Sequence, residues 1–360
     1  MDISKTMDTK LNFSSSDYQP ILQKFSVIDT FRGNWNAIEQ SKSQYLKELR
    51  KIATIESIGS STRIEGATMT NEEVEKLLKS VKISKLETRD EQEVIGYYEA
   101  LQVIMDNYQD IKLSERYIHQ LHGILLKYSS KDQAHKGSYK SLSNQVVAKY
   151  PDGTQRIIFK TTVPHLTSGE MDQLIHWTNE RLEKNDMHPL MIVASFVYEF
   201  LSIHPYQDGN GRLSRLLTTL LLMKLDYSFI QYVSFEHIIE TRKEEYYRAL
   251  MEGQKNRNKP EERIGLWVSF FLESLIILTQ RLKAKYDTYS KITIVLNERQ
   301  QQVLDYIEIQ VTAKVGEIWK ALKEYSRNTL KKDLAYLVNE GLILKTGSGR
   351  GVRYHKKERR

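Results

Sequence analysis

The sequence predicts a mainly α-helical protein that carries one β-hairpin and ends in a small helical module of its own. Three observations lead there. Apolar residues recur at three- and four-residue spacing in 37–58, 72–80, 91–107, 113–127, 170–183, 189–203, 211–225 and 262–285. One stretch, 139–163, breaks that rhythm with β-branched runs on either side of Pro151-Asp152-Gly153, a hairpin signal. A third pattern starts near residue 297, where three helical segments precede a glycine-rich turn.

Each element has a local reason. Thr70 with Glu73 makes a capping box that opens the second helix. Residues 190–203, LMIVASFVYEFLSI, are apolar almost all round, as a central buried helix requires, and Pro205 stops that helix. The polar stretch 282–292 is the expected joint between domains, helical in part. Beyond it, helical periodicity covers 297–309, 314–324 and 326–340, with Ser326 as an N-cap and Gly341 as a C-cap. Leu342-Ile343-Leu344, the turn glycines Gly347, Gly349 and Gly351, and Val352-Arg353-Tyr354 then read as a small hairpin. Three helices and a hairpin resemble a winged helix whose third helix stands in the recognition position. The expected divisions are a helical region over 1–110, a core over 111–285 and the winged helix over 292–360.

Composition narrows the classes. The 360 residues include no cysteine, which excludes disulfides and thiolate metal sites. The opening residues lack the apolar core of a secretory signal, and no run of about 18 apolar residues suggests a membrane span, so a cytoplasmic protein without a membrane partner is expected. Net charge is +7, and residues 292–360 hold 14 Lys/Arg against 8 Asp/Glu, so the basic face is expected at the C-terminal end.

Residues 204–212 read HPYQDGNGR, a polar loop between two apolar segments. Gly209-Asn210-Gly211 stands where the helix of Leu213, Leu216, Leu217 and Leu220 begins. Glycines let backbone N–H groups converge on an anion, and a helix N-terminus adds free donors. Arg212 and Arg215, three apart, suit a polyphosphate. Asp208 would repel that anion unless a Mg²⁺ ion lay between them. His204, across the loop, is a candidate general base. The parts suggest phosphoryl or nucleotidyl transfer by in-line attack. No P-loop sequence is present.

The run from His204 to Arg215 resembles the Fic motif, HPFx(D/E)GNGRxxR, with Tyr206 for the usual phenylalanine. The resemblance covers about residues 45–285 and implies a Fic-type helical bundle with a β-hairpin flap. It implies a protein adenylyltransferase moving AMP from ATP to a protein hydroxyl, the protein itself included. His204 would be the base and Asp208 the metal ligand. Gly209, Asn210, Gly211, Arg212, Leu213, Ser214 and Arg215 would hold the nucleotide, the two arginines at the outer phosphates. The flap, Ile157, Ile158, Phe159, Lys160, Thr161, Thr162 and Val163, would clamp a target segment by strand addition. Tyr246, in EEYYRAL, is a candidate for the adenine pocket, with a core-facing tyrosine the equal alternative.

Residues 61–66, Ser-Thr-Arg-Ile-Glu-Gly, put Ser61 and Glu65 on one helix face with Gly66 able to end the helix. They resemble the family's inhibitory signature, (S/T)xxxE(G/N). Glu65 would then pair with Arg215 and keep ATP from binding productively. In some relatives the equivalent glutamate is linked to AMP removal.

For the C-terminal module, DNA binding and protein contacts both stay open. Arg327, Asn328, Lys331 and Lys332 would enter a major groove, and Arg350, Arg353, Lys356, Lys357, Arg359 and Arg360 would track phosphates. Alternatives to AMP transfer are a DNA-binding regulator with a nucleotide-sensing core, and transfer of another phosphate-containing group. A homodimer is left open. The remaining histidines, among them His119 and His122, lack metal-ligand spacing backed by acids and are expected to be structural or at the surface.

Overall fold

The computed structural model describes residues 3–40, 44–80, 86–149, 154–291 and 296–357. In chain order its elements are α1 (Ile3–Lys10), α2 (Ser15–Glu39), α3 (Gln44–Ile64), α4 (Asn71–Ser80), α5 (Arg89–Asn107), α6 (Glu115–Leu125), β1 (Gln145–Lys149), β2 (Gln155–Lys160), α7 (Pro164–Lys184), α8 (Pro189–Ile203), α9 (Asn210–Lys224), a 3₁₀ turn (Ser228–Tyr232), α10 (Phe235–Thr241), α11 (Lys243–Gln254) and α12 (Gly265–Lys291). There follow α13 (Glu298–Gln310), β3 (Thr312–Ala313), α14 (Val315–Ala321), α15 (Arg327–Asn339), β4 (Ile343–Thr346) and β5 (Arg353–Lys356). The chain divides into two compact units, Met1–Gly33 with Lys51–Leu282, and Asn34–Arg50 with Lys283–Arg360.

In the first unit α8 is the axis. Every residue from Leu190 to Ile203 is buried, and α7 and α9 pack on it, with α5 packing on α9. A buried ionic cluster forms around Glu199, the charged residue of this apolar helix. Glu199 accepts from Lys10 and from Arg257 (2.6 Å), and Glu262 is paired with the same two cations. Charges taken out of water persist only when paired and hydrogen-bonded, and this cluster meets that condition. The capping box at Thr70 forms as expected: Thr70 N donates to Glu73 Oε2 (2.8 Å) and Glu73 N to Thr70 Oγ1 (3.2 Å). The hairpin strands pair antiparallel, Val147 with Ile157 and Gln145 with Lys160, with a bulge at Val146/Val147. Its expected turn, Pro151-Asp152-Gly153, lies outside the described residues.

Several expectations need correction. The helix read over 37–58 is α3, running from Gln44 to Ile64, and α2 before it was not foreseen. Pro20 inside α2 and polar residues around Ile21, Phe25 and Ile28 disguise its periodicity. The 3₁₀ turn and α10 were also missed, because short elements give too few repeats to read. The stretch Gly265–Thr288 is, by length and composition, apolar enough to cross a membrane, contrary to the sequence reading. Trp267, Phe271, Leu272, Leu275, Leu278 and Leu282 on it are buried.

The C-terminal part of the second unit has the expected three helices and hairpin, plus β3, which is two residues long; the strands run in the order β3-β5-β4, antiparallel. Its core is Val303, Ile307, Ala313, Ile318, Leu330, Leu334, Leu337, Ile343 and Tyr354. Ser326 caps α15 by accepting from Thr329 N (3.2 Å), and Gly341, at φ 67°, follows its end. Arg299 grips Asp333 with both forks, 2.6 and 3.1 Å.

Candidate active site

The HPYQDGNGR loop joins the buried ends of α8 and α9. His204 caps α8 in the left-handed region, φ 54°. Gly209 starts α9 at φ 81°, a conformation that side chains rarely adopt. Asn210 closes the loop on itself: Tyr206 N donates to its Oδ1 (2.8 Å) and its Nδ2 donates to Tyr206 O (2.7 Å). The backbone N–H groups of Asn210, Gly211 and Arg212 belong to the first turn of α9 and have no acceptor within the helix. Those donors, the positive end of α9 and Arg215 together make an anion seat.

A cleft of about 250 Å³ opens there, lined by Glu65, Gln145, Val146, Val147, Leu201, His204, Gln207, Asp208, Gly209, Asn210, Gly211, Arg215, Tyr246, Tyr247 and Leu250. The loop, the segment 61–66, β1 and α11 thus meet at one place. The His204 ring donates from Nδ1 to Leu201 O (3.3 Å), which leaves Nε2 as the free acceptor. Burial first, and the Lys140 ammonium second, push its pKa down to about 4, so the ring is neutral near pH 7.

The segment 61–66 reaches Arg215 directly. Arg215 Nη2 donates to Glu65 Oε1 (2.8 Å) and to Ser61 O (2.9 Å), and Nε donates to Ser61 Oγ (2.8 Å). Glu65 lies one residue past α3, and Gly66 turns the chain away at φ 105°. Burial works to raise the Glu65 carboxyl, but Arg215 and Arg212 outweigh it and hold it below its usual value. A Cβ on Gly211 would stand 2.1 Å from Glu65 Oε1, so the carboxylate needs bare backbone at that position.

Arg212 is placed differently from the expectation. It is 1 % exposed, does not line the cleft, and is paired with Glu93 (3.1 Å) and Asp208 (3.2 Å). Leu213 and Ser214 are likewise buried and away from the cleft, Ser214 Oγ donating to Gly211 O (2.7 Å). Asp208 is at the rim. Its Oδ1 accepts from Gly209 N (2.6 Å), and its Oδ2 is paired with Lys131 (2.8 Å) and with Arg89 (3.6 Å). Burial would raise its pKa, but Arg212 and Lys131 hold it far below the usual carboxylate range. Tyr246 is 4 % exposed, packs edge-on against Tyr247, Trp267 and Phe270, as the core-facing reading expects, and it also lines the cleft.

Of the expected flap, Ile157–Lys160 lie on β2, paired with β1, whereas Thr161–Val163 leave the strand and lead into α7. The cleft wall is drawn from β1. Ile157 is exposed and Phe159 buried. Sequence reasoning missed the supporting shell. His122, fully buried, stacks on Tyr206 (3.7 Å between centroids) and accepts from Gly137 N at Nδ1, so its Nε2 donates to Asp208 O (3.0 Å). The Tyr206 hydroxyl meets His119 Nδ1 at 2.8 Å, a partner that a phenylalanine would lack. The expectation that these histidines are structural fits their places.

Residues 112–222 match the sequence model of the Fic/DOC family. The chain carries a Fic/DOC domain. Residues 299–354 match a DeoR-like helix-turn-helix domain. Protein adenylyltransferase Fic of Drosophila mojavensis is 28 % identical over 207 residues, 57 % of this chain and 38 % of that protein. The Drosophila grimshawi protein of the same name is 28 % identical over 202 residues, 56 % of this chain and 39 % of its own length. This chain therefore spans about two fifths of the curated relatives it matches. Among solved structures, a Fic family protein from Desulfovibrio desulfuricans G20 aligns with TM-score 0.64 and 21 % identity, over 98 % of this chain and 99 % of that one. Fic-1 from C. elegans aligns with TM-score 0.57 and 18 % identity, over 76 % and 74 %. These structures share the fold.

Proposed function

We propose that this chain is an auto-inhibited, Mg²⁺-dependent protein adenylyltransferase that moves AMP from ATP onto a protein hydroxyl. One juxtaposition carries the reading: a neutral imidazole faces the open first turn of α9, and the arginine beside that turn is held by a carboxylate from α3's end. In the reaction, the target hydroxyl attacks the α-phosphorus of ATP. His204 Nε2 accepts its proton, and the bond to pyrophosphate breaks. The amides of Asn210, Gly211 and Arg212 and the freed Arg215 guanidinium stabilise phosphate charge without reorganising. Arg212 acts indirectly, by orienting Asp208.

The donor set suits Mg²⁺. Asp208 offers a carboxylate at the cleft rim, and Mg²⁺ is characteristically held by one or two carboxylates plus substrate phosphates. Among the described residues no group of three His, Cys, Asp or Glu could hold a metal alone. Bound there, the ion would neutralise phosphate charge. Lys131 would have to yield Oδ2 first.

Labelled ATP tests the reading. The Glu65→Gly protein should label itself or a lysate protein, and the Glu65→Gly, His204→Ala protein should not. Calorimetry finding no Mg²⁺-dependent ATP affinity in Glu65→Gly would overturn it. A cytoplasmic location belongs to the same reading, since ATP and Mg²⁺ are plentiful there. A second role, DNA binding, is favoured by α15, where Arg327, Asn328, Lys331 and Lys332 are exposed, with Arg353 exposed on β5. The Arg350 side chain and residues 358–360 lie outside what is described. A salt-dependent mobility shift of a DNA duplex by the full chain tests it.

A further inference from the structure

The backbone around His204 is held in an unusual way. A non-glycine residue at φ 54° costs free energy and persists only where its surroundings over-determine it. Here four successive carbonyls of the loop are all taken by one short segment. Lys140 Nζ donates to Ile203 O (2.8 Å) and Lys140 N to Pro205 O (2.9 Å). Asn144 Nδ2 donates to His204 O (3.3 Å) and to Tyr206 O (2.7 Å).

That segment is tied in turn to the start of the hairpin's exit. Lys140 Nζ also donates to Asn144 Oδ1 (2.9 Å) and to Thr161 Oγ1 (3.0 Å), and the Thr161 hydroxyl donates back to Asn144. Asn144 directly precedes β1 and Thr161 directly follows β2. Lys140 is 4 % exposed, and all three hydrogen-bonding partners of its ammonium are neutral oxygens. Burying a cation without a carboxylate in contact is costly, so the site is built around its three donors.

We propose that Lys140 and Asn144 are positioning residues, which fix the His204 backbone and couple it to both strands of the hairpin. This rests on His204 being the base of the reaction proposed above. A substrate segment pressing on the hairpin would then tighten, through Asn144, the loop that aims the imidazole. The effect belongs to chemistry more than to nucleotide binding, because the anion seat is made by the first turn of α9 and Arg215, and the side-chain hydrogen bonds of Lys140 and Asn144 go elsewhere.

The test uses the full chain with Glu65→Gly, so that turnover is measurable. Lys140→Met should lower kcat by roughly tenfold to 10²-fold, the penalty of misplacing a catalytic group by a fraction of an ångström to an ångström. KM for ATP should stay within about twofold by the same reasoning, and Lys140→Arg should recover part of kcat. Asn144→Ala, at a position only partly buried, should give the same split if Lys140→Met does not fold. Amide hydrogen exchange at His204 and Tyr206 should quicken in both variants while the middle of α8 stays protected. Equal changes in kcat and KM, no rescue by arginine, or unchanged exchange at 204–206 would overturn the proposal. If Glu65→Gly transfers no AMP, the reading of His204 falls, and the exchange measurement still decides whether the clamp exists.

Discussion

The cleft and the exposed face of α15 both concentrate positive charge, and they use it in opposite ways. Arg215, on the cleft wall, is 3 % exposed and paired with Glu65; Arg212, on the same helix but away from the cleft, is 1 % exposed and paired with Glu93 and Asp208. On α15, Arg327, Lys331 and Lys332 stand in water. Buried pairs are poorly screened, so one partner decides what the other can do. Exposed charges are screened and act as a sum. The same residue types would therefore serve, on the proposed reading, as a switch in one place and as a salt-dependent footprint in the other.

Adding His204→Ala to Glu65→Gly should cut AMP transfer by about 10²–10⁴-fold, the usual value of a positioned base. With His204 intact, the Glu65→Gly rate should stay level from about pH 8 down to about pH 5, since protonation sets in only near its lowered pKa of about 4. A rate that halves near pH 6.5 would put the imidazole in a wetter site. Glu65→Gly alone should raise self-labelling by roughly tenfold or more over the parent, the factor released by about 1.4 kcal/mol of lost competition. Lys131→Met should lower the Mg²⁺ concentration needed for half-maximal nucleotide binding about threefold to tenfold, read by calorimetry in that background.

Smaller effects sharpen the contrast. Arg63 clasps Glu240 at 2.7 and 3.0 Å and also donates to Met69 O, while Lys243 caps Ile64 O (3.0 Å), so the segment 61–66 is latched from outside the cleft. Glu240→Gln should raise labelling about twofold to fivefold, since a partly exposed pair contributes about 1 kcal/mol or less. On α15, Lys331→Ala should leave labelling unchanged and reduce the salt slope of DNA binding by about one. No change in slope would mean that α15 does not meet a phosphate there.

What was readable in the sequence was what is local. His204, Asp208, the glycines and Arg215 stand within twelve residues, so loop chemistry and helix start could be read together. Glu65 stood out only through the resemblance of residues 61–66 to the family's inhibitory signature; on their own they read as an ordinary helix end. Arg212 misled because residues three apart on a helix differ by about 60° around its axis, enough to send one fork to the cleft and the other to Glu93. Lys131, Lys140, Asn144, His122 and Glu240 gave no signal. Each is an ordinary residue in its own neighbourhood and gains a role only through contact with a distant segment.

One consequence of Glu65 reaching Arg215 concerns dilution. If Glu65 blocks the site as proposed, the blocking group is part of the same chain, so its effective concentration is set by the tether, on the order of millimolar or above, and does not change with the amount of protein. Raising the nucleotide supply can therefore only compete against a fixed opponent. A partner that pulls α3 aside would remove the opponent altogether, which makes the tether, more than the fuel, the natural point of command.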